Sequence, residues 1–121
     1  MKHALAVLAM LALVEMPAFA HHGWGENETK ISEITGTVTS GLNLSGPHAT
    51  MKIKDAEGHI WNVTLAPPAR TKDAGLKEGS LPVGATVMIH GNRNKNPKTF
   101  EMKVTRVTYN GTLYKIYPER D

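Results

Sequence analysis

The stretch TGTVTSGLNLSGPHATMKIKDAEGHIWNVTL, residues 35–65, decides the fold. It contains three segments in which apolar and polar residues alternate, and a period of two is typical of half-buried β-strands. A loop over residues 41–47 separates the first segment from the second, which begins at His48 because Pro47 cannot donate to a sheet. A tight turn over residues 55–58 leads to the third. The stretch therefore predicts a three-stranded meander.

Further elements follow the meander. The pair Pro67-Pro68 ends it and predicts a short helix over residues 69–76, because proline is tolerated in the first turn of a helix. Alternation resumes around Val87 and Ile89, which predicts a fourth strand followed by a polar loop over residues 91–98.

A fifth strand is predicted from Phe100, with a bulge near residues 105–106, because the alternation changes phase before Val107. Asn110-Gly111 is a strong hairpin signal and predicts a sixth strand over residues 113–117. Three strands, a helix and further strands are the order of the oligonucleotide/oligosaccharide-binding (OB) fold. We expect an all-β, OB-like Greek-key barrel of five to six strands with one short helix between strands three and four. Its predicted core consists of Val38, Met51, Ile53, Trp61, Val63, Val87, Ile89 and Val104.

The beginning of the chain predicts export. A basic start, an apolar run over residues 4–14 and the small-x-small sequence Ala18-Phe19-Ala20 form the pattern of a signal peptide, residues 1–20. The run is shorter than the roughly 20 residues that span a bilayer, so we expect no membrane anchor and a periplasmic or secreted protein. Residues 21–30 are polar and predict a flexible arm, and residues 31–121 predict the barrel domain. Cysteine is absent, so stability must come from a packed core.

Several short motifs occur in a characteristic order. They are His21-His22, Gly36-Thr37-Val38, Gly46-Pro47-His48, the turn at 55–58, Pro67-Pro68, Leu81 to Gly84 with Gly91, and Arg106-Val107-Thr108 with Gly111 and Tyr114. In these motifs the chain resembles an uncharacterised family of small exported bacterial proteins, domain of unknown function 6152. The resemblance implies an exported barrel and assigns no activity. Gly46 stands where the family has Asn, and Thr50 where Trp is common, so a site that uses this bend is altered here.

The histidines predict a metal site. After cleavage before His21, that residue offers an α-amine and an imidazole, His22 adds a second imidazole, and His48 is the best third ligand because it lies beside a loop. Amine and imidazole nitrogens suit Cu(II), Ni(II) or Zn(II), with copper favoured. The leading hypothesis is a small exported protein that holds or passes a transition-metal ion. We expect no ligation by His59, a strand-end residue, or by His90, which is predicted to face solvent.

The alternative hypothesis is an accessory barrel without catalytic activity, whose groove near strands two and three binds a small polar molecule, a saccharide or a protein partner. The outward residues of those strands are Thr50, Lys52, Lys54, Asn62 and Thr64. Nucleic acid is not expected, because this set lacks the aromatic side chains on which bases stack. An enzyme is not expected either, because the carboxylates are scattered and neither a serine nucleophile elbow nor a His-Glu-x-x-His helix occurs.

Overall fold

Six β-strands and one short α-helix form the part of the chain that this computed structural model describes, residues 24–121. The elements are β1 (Ser32–Asn43), β2 (Thr50–Asp55), β3 (Ile60–Thr64), α1 (Pro68–Asp73), β4 (Thr86–Arg93), β5 (Glu101–Tyr109), β6 (Thr112–Lys115) and a 3-10 helix (Pro118–Arg120). The prediction of an all-β, OB-like barrel with one short helix between strands three and four is confirmed.

The sheet closes into a five-stranded barrel with one extra strand. Its order is β3-β2-β1-β4-β5-β6, and β3 also pairs with β5 in parallel, from Asn62 opposite Glu101 to Thr64 opposite Lys103. The first part of β5 therefore closes the barrel against β3, and the later part pairs with β6. Closure removes the edges of the five central strands.

All eight predicted core residues are buried in one cluster. The predicted bulge is also confirmed, because Gly91 pairs with Val104 while His90 pairs with Arg106, so Thr105 has no partner in the ladder. The bulge turns the backbone so that Val104, Thr105 and Val107 are all fully buried.

The hairpin turns follow the sequence pattern. Gly58, in the turn between β2 and β3, has φ 89°. Asn110 and Gly111, between β5 and β6, have φ 53° and 81°, which are the left-handed values that a two-residue hairpin of type I′ requires. The helix is shorter than the predicted residues 69–76. It ends before Gly75, which has φ 105°, and at such an angle the chain leaves the helix.

Two strands are longer than predicted. β1 extends into the predicted loop as far as Asn43. Two register irregularities in its pairing with β2 bend it there, and Leu42 is buried in the core. β4 continues past Gly91, where the predicted loop was expected to begin, to Arg93. Glycine is needed there for close approach, since a Cβ atom on Gly91 would lie 2.1 Å from the Lys103 carbonyl oxygen.

Two strands begin away from their predicted first residues. β2 begins at Thr50 and not at His48, which lies in a bend of the β1–β2 loop. β6 begins at Thr112 and ends at Lys115, before the predicted residue 117. It ends there because the amides of Ile116 and Tyr117 both donate to the carbonyl oxygen of Thr105 and turn the chain away. Within residues 24–121 no helix is long and apolar enough to cross a membrane. The predicted signal peptide lies outside the described residues.

Candidate functional site

A polar face covers the outside of four neighbouring strands. Pairing across β1, β2, β3 and β5 places their outward side chains in two rows, while Met51, Val63 and Met102, on the opposite phase, are buried in the core. One row is Ser40, Lys52, Asn62 and Glu101, and the other is Asn43, Thr50, Thr64 and Lys103. These eight residues are called the polar face below.

Two clefts lie on the polar face and share Asn62 and Thr64. The smaller cleft, about 290 Å³, extends over β2 towards the end of β1. The larger cleft, about 440 Å³, extends over β5 and has additional walls formed by Glu26, Asn27 and Asn94. Because both clefts border Asn62 and Thr64 of β3, they lie side by side across the face.

The wall of the larger cleft is the segment of residues 24–30, called the strap below. The amide of Glu28 donates to the Arg93 carbonyl oxygen (2.8 Å), and the amide of Lys95 donates to the Glu26 carbonyl oxygen (2.9 Å). The buried Asn27 side chain donates through Nδ2 to the Asn92 carbonyl oxygen at 2.6 Å. The strap belongs to the arm that the sequence predicts as flexible, and these bonds attach it to β4 and the β4–β5 loop.

The first residue of the strap, Trp24, packs on the C-terminal segment. Its ring meets Tyr117 edge-on with centroids 5.4 Å apart, and the Arg120 guanidinium lies 4.0 Å from its centroid. Trp24, Tyr117 and Arg120 are called the latch below. The guanidinium of Arg70, on α1, lies 4.3 Å from the centroid of the Tyr117 ring and binds both carboxylate oxygens of Glu119 (2.6 and 2.7 Å).

Lys103 connects the latch to the polar face. It lines the larger cleft, and its ammonium lies 5.0 Å from the centroid of the Trp24 ring. Partial burial, and secondarily the nearby Arg120, lower the pKa of Lys103. Burial also raises the pKa of Tyr117. The Lys103 ammonium at this end of the groove therefore shares the Trp24 ring with the Arg120 guanidinium.

The chemistry of the face is hydrogen bonding. Hydroxyl and amide side chains both donate and accept, and the face adds lysine donors and the Glu101 carboxylate, which accepts a hydrogen bond from Asn94 Nδ2 at 3.2 Å. None of the eight residues is aromatic. Such a surface offers many hydrogen bonds and little stacking area to a bound molecule.

A second cluster lies at the β2–β3 turn. Asp55 accepts hydrogen bonds from the amides of Glu57 (3.0 Å) and His59 (2.9 Å) through Oδ1, and from the Trp61 indole (2.9 Å) through Oδ2. The Trp61 bond, followed by those from the two amides, lowers the pKa of Asp55 against the opposing effect of burial. His59 stacks on Phe100 with ring centroids 4.2 Å apart. This cluster stabilises the turn between β2 and β3.

The predicted metal ligands fall into two groups. His21 and His22 lie outside the described residues, and His48 is exposed in the β1–β2 loop. Within residues 24–121 no group of three or more His, Asp or Glu side chains is placed to hold a metal ion.

The prediction that His90 faces solvent is wrong. Its side chain is only 12% exposed, and its Nε2 lies 2.5 Å from Glu33 Oε2, because β1 and β4 pair Glu33 directly with His90. Its other neighbour in the ladder is Arg106 on β5, so the imidazole lies in a row of charged side chains.

Sequence reasoning found the half of the groove on strands two and three and missed the other half. Glu26, Asn94, Glu101 and Lys103 join the site only because β5 closes onto β3 and the strap packs alongside. The available signal was the outward phase of β5, in which Glu101 and Lys103 alternate with Met102 and Val104.

Comparison with known proteins supports the fold and the family. None of the curated proteins matches the sequence. Among solved structures, a chain of the S. pombe Stn1–Ten1 complex matches with a TM-score of 0.50 and 16% identity, over 65% of this chain and 57% of that one. This chain thus spans little more than half the length of that solved chain, and the likeness is one of fold. The model of the family of unknown function DUF6152 matches residues 8–103, and the chain therefore belongs to that family.

Proposed function

We propose that the protein is an exported binding barrel, without catalytic activity, that holds a hydroxyl-rich polar ligand such as a saccharide on the polar face. The observation that carries the proposal is the pair of adjacent clefts on the polar face, both of which are lined by Asn62 and Thr64. The apolar run followed by a cleavage pattern at the start of the sequence supports export.

Hydrogen bonding from a rigid sheet suits such a ligand. The groups of the polar face stand on paired strands, so little conformational entropy is lost when they bind. Each neutral hydrogen bond contributes roughly 0.5–1.5 kcal/mol net, so several are needed for useful affinity, and two rows across four strands supply them. In OB folds the corresponding outer face is a common place for oligomeric ligands.

The test is an NMR titration. The isotope-labelled protein is titrated with cellotetraose, maltotetraose and chitotetraose, and the chemical shifts of its backbone amides are recorded. We expect shifts confined to the polar face and the strap. Asn62→Ala should weaken binding about tenfold, since it removes one or two hydrogen bonds at the junction of the clefts.

Thr64→Val and Thr35→Val form a matched pair of control changes. Both replace a strand hydroxyl by a methyl group, but only Thr64 lies on the polar face, so only Thr64→Val should weaken binding. Equal effects of the two variants, or no shift with any of the saccharides, would contradict the proposal. A single-stranded oligonucleotide should not bind, because the face has no aromatic platform.

A protein partner remains the other class of ligand expected from the sequence. A polar loop of a second protein offers the same donors and acceptors as a saccharide. Co-purification of a partner that is released by Asn62→Ala, together with no saccharide binding, would replace the saccharide proposal by a protein-binding one.

A second candidate function is transition-metal binding by the processed amino terminus. His48 supports it, because its exposed imidazole makes no hydrogen bond or ion pair within residues 24–121 and is free to bind a metal ion. A chain that begins at His21 has a terminal amine with a pKa of roughly 8, from which copper can displace a proton near neutral pH.

Competition with a chromophoric chelator tests the metal site. One extra residue before His21 should weaken copper binding strongly, His48→Ala should weaken it less, and His59→Ala should leave it nearly unchanged. Equal affinity with and without the extra residue would remove the amine from the site. Mass spectrometry confirms each amino terminus.

A further inference from the structure

The strap is a wall with open space on both sides. On one side lies the larger cleft of the polar face, which Glu26 and Asn27 line. On the other side lies a separate cleft of about 340 Å³, lined by Trp24, Glu28 and Arg120 among others. Between the two clefts the strap is held by the buried Asn27 and by hydrogen bonds to β4 and the β4–β5 loop, and further contacts hold its two ends.

One attachment is polar and the other aromatic. At the C-terminal end of the strap, Asn92 Nδ2 donates to the carbonyl oxygens of Thr29 (3.3 Å) and Lys30 (3.1 Å), close to where β1 begins. At its N-terminal end the strap is held by the latch, where Trp24 contacts Tyr117 and Arg120. Hydrogen bonds to β4 and the β4–β5 loop lie between these two points. The latch is therefore the attachment at the N-terminal end of the strap.

Lys103 provides a direct connection between the latch and the ligand groove. It belongs to the polar face, lines the larger cleft and lies over the Trp24 ring. Trp24 itself does not line the larger cleft. A change at Trp24 can thus reach the groove by two routes, through the strap and through the position of the Lys103 ammonium.

We propose that the strap is an adjustable wall of the ligand groove and that Trp24 is the positioning residue that sets it. The part of this inference that concerns ligand binding, called the ligand half below, rests on the proposed function. A saccharide that contacts Glu26 or Asn27 holds the strap against the barrel, and the latch, by holding the same strap, raises the affinity for that saccharide. By linkage, the saccharide must then also stabilise the docked strap.

Hydrogen exchange of the free protein tests the positioning role without any ligand. The reporters are the amides of Glu28 and Lys95, which bond across the strap. Trp24→Ala should speed their exchange by at least about tenfold, since an aromatic pair and two cation–π contacts together are worth a factor of that order. Trp24→Phe should restore most of the protection. Unchanged exchange in Trp24→Ala would overturn the positioning role.

Two comparisons show whether the effect is local. Amides in the β1–β4 ladder should exchange as in the parent, because the barrel core does not include Trp24. Leu113→Ala, which trims an exposed apolar side chain on β6, should change neither set. If Trp24→Ala deprotects the whole barrel equally, Trp24 is a general stabiliser and the inference is wrong.

The ligand half is tested with whichever of the three tetrasaccharides binds the parent. Trp24→Ala should weaken that binding about threefold to tenfold, and a saturating concentration of the saccharide should slow the exchange of the strap amides in the parent. If Trp24→Ala binds like the parent while Asn62→Ala does not, the proposed function stands and the coupling is refuted. If none of the saccharides binds the parent, the proposed function falls together with the ligand half, and the exchange result alone decides the positioning role.

Discussion

Asp55 should be the most sensitive polar residue of the barrel, although it lies in a surface turn. Its side chain is 15% exposed and accepts three hydrogen bonds from Glu57, His59 and Trp61. Asp55→Asn keeps an oxygen for the two amides but turns an NH₂ group towards the Trp61 indole, which leaves a buried donor unpaired. That change should cost about 1–3 kcal/mol of unfolding free energy. Asp55→Ala loses all three bonds and should cost about 3 kcal/mol or more.

Urea denaturation at pH 7 measures these differences, and the double variant with Trp61→Phe isolates the indole bond. Trp61→Phe removes the donor, so Asp55→Asn should cost less in that background, with a coupling of about 1 kcal/mol. A cost below about 0.5 kcal/mol for Asp55→Asn in the parent would refute the reasoning, because surface substitutions without partners fall in that range.

The same residue predicts a pH dependence. The pKa of Asp55 is lowered from its ordinary value of 3.8 in the folded protein, chiefly by the Trp61 hydrogen bond. The unfolded chain therefore binds the proton more readily, and the stability that ionised Asp55 contributes is present above about pH 4 and lost as the pH falls further. The difference in unfolding free energy between the parent and Asp55→Asn should shrink between pH 5 and pH 2. A constant difference would show that another group causes the acid sensitivity.

Three further changes test the core and the bulge by urea denaturation. Trp61→Ala should cost about 3–5 kcal/mol, because the side chain is only 3% exposed, and melting like the parent would contradict its place in the core. Gly91→Ala should cost about 3 kcal/mol because of the 2.1 Å approach to the Lys103 carbonyl oxygen. Its control, Gly46→Ala, meets its nearest neighbour at 3.5 Å and should be nearly neutral, so equal costs would refute the close approach. Thr105→Val should cost about 1 kcal/mol, because it removes the buried hydroxyl that donates to the His90 carbonyl oxygen at 3.2 Å, and an unchanged midpoint would exclude a role for that bond.

Alternation along single strands predicted the core, and the order of the strands and the helix predicted the barrel. The inward phase of each strand is a local property, so Met51, Ile53, Val63 and their partners follow from it directly. Strand ends are different. Glycine usually indicates a loop, but Gly91 lies inside β4 because another strand passes too close for a side chain. That distance depends on the neighbouring strand, which the local pattern does not contain.

Pairing between distant segments also explains why half of the candidate site was not predicted. Asn27 is a small polar residue in a polar segment, with no periodicity that indicates burial. It is nevertheless only 8% exposed, because its side-chain amide donates a hydrogen bond to the carbonyl oxygen of Asn92, 65 residues away. His90 is likewise removed from solvent by Glu33 on a neighbouring strand. The wall of the larger cleft depends on pairings of this kind.

The contact between Trp24 and the C-terminal segment constrains the order of folding. Ribosomes release the amino-terminal part of a chain first, yet the binding surface for Trp24 is built from Tyr117 and Arg120, almost a hundred positions later. Trp24 therefore has nothing to pack on until synthesis is nearly complete, and contacts of such long sequence separation form late. Before that point the strap can bond only to β4 and the β4–β5 loop. Docking of Trp24 is then the last step that fixes the strap, and it occurs only in a chain that carries its last turn.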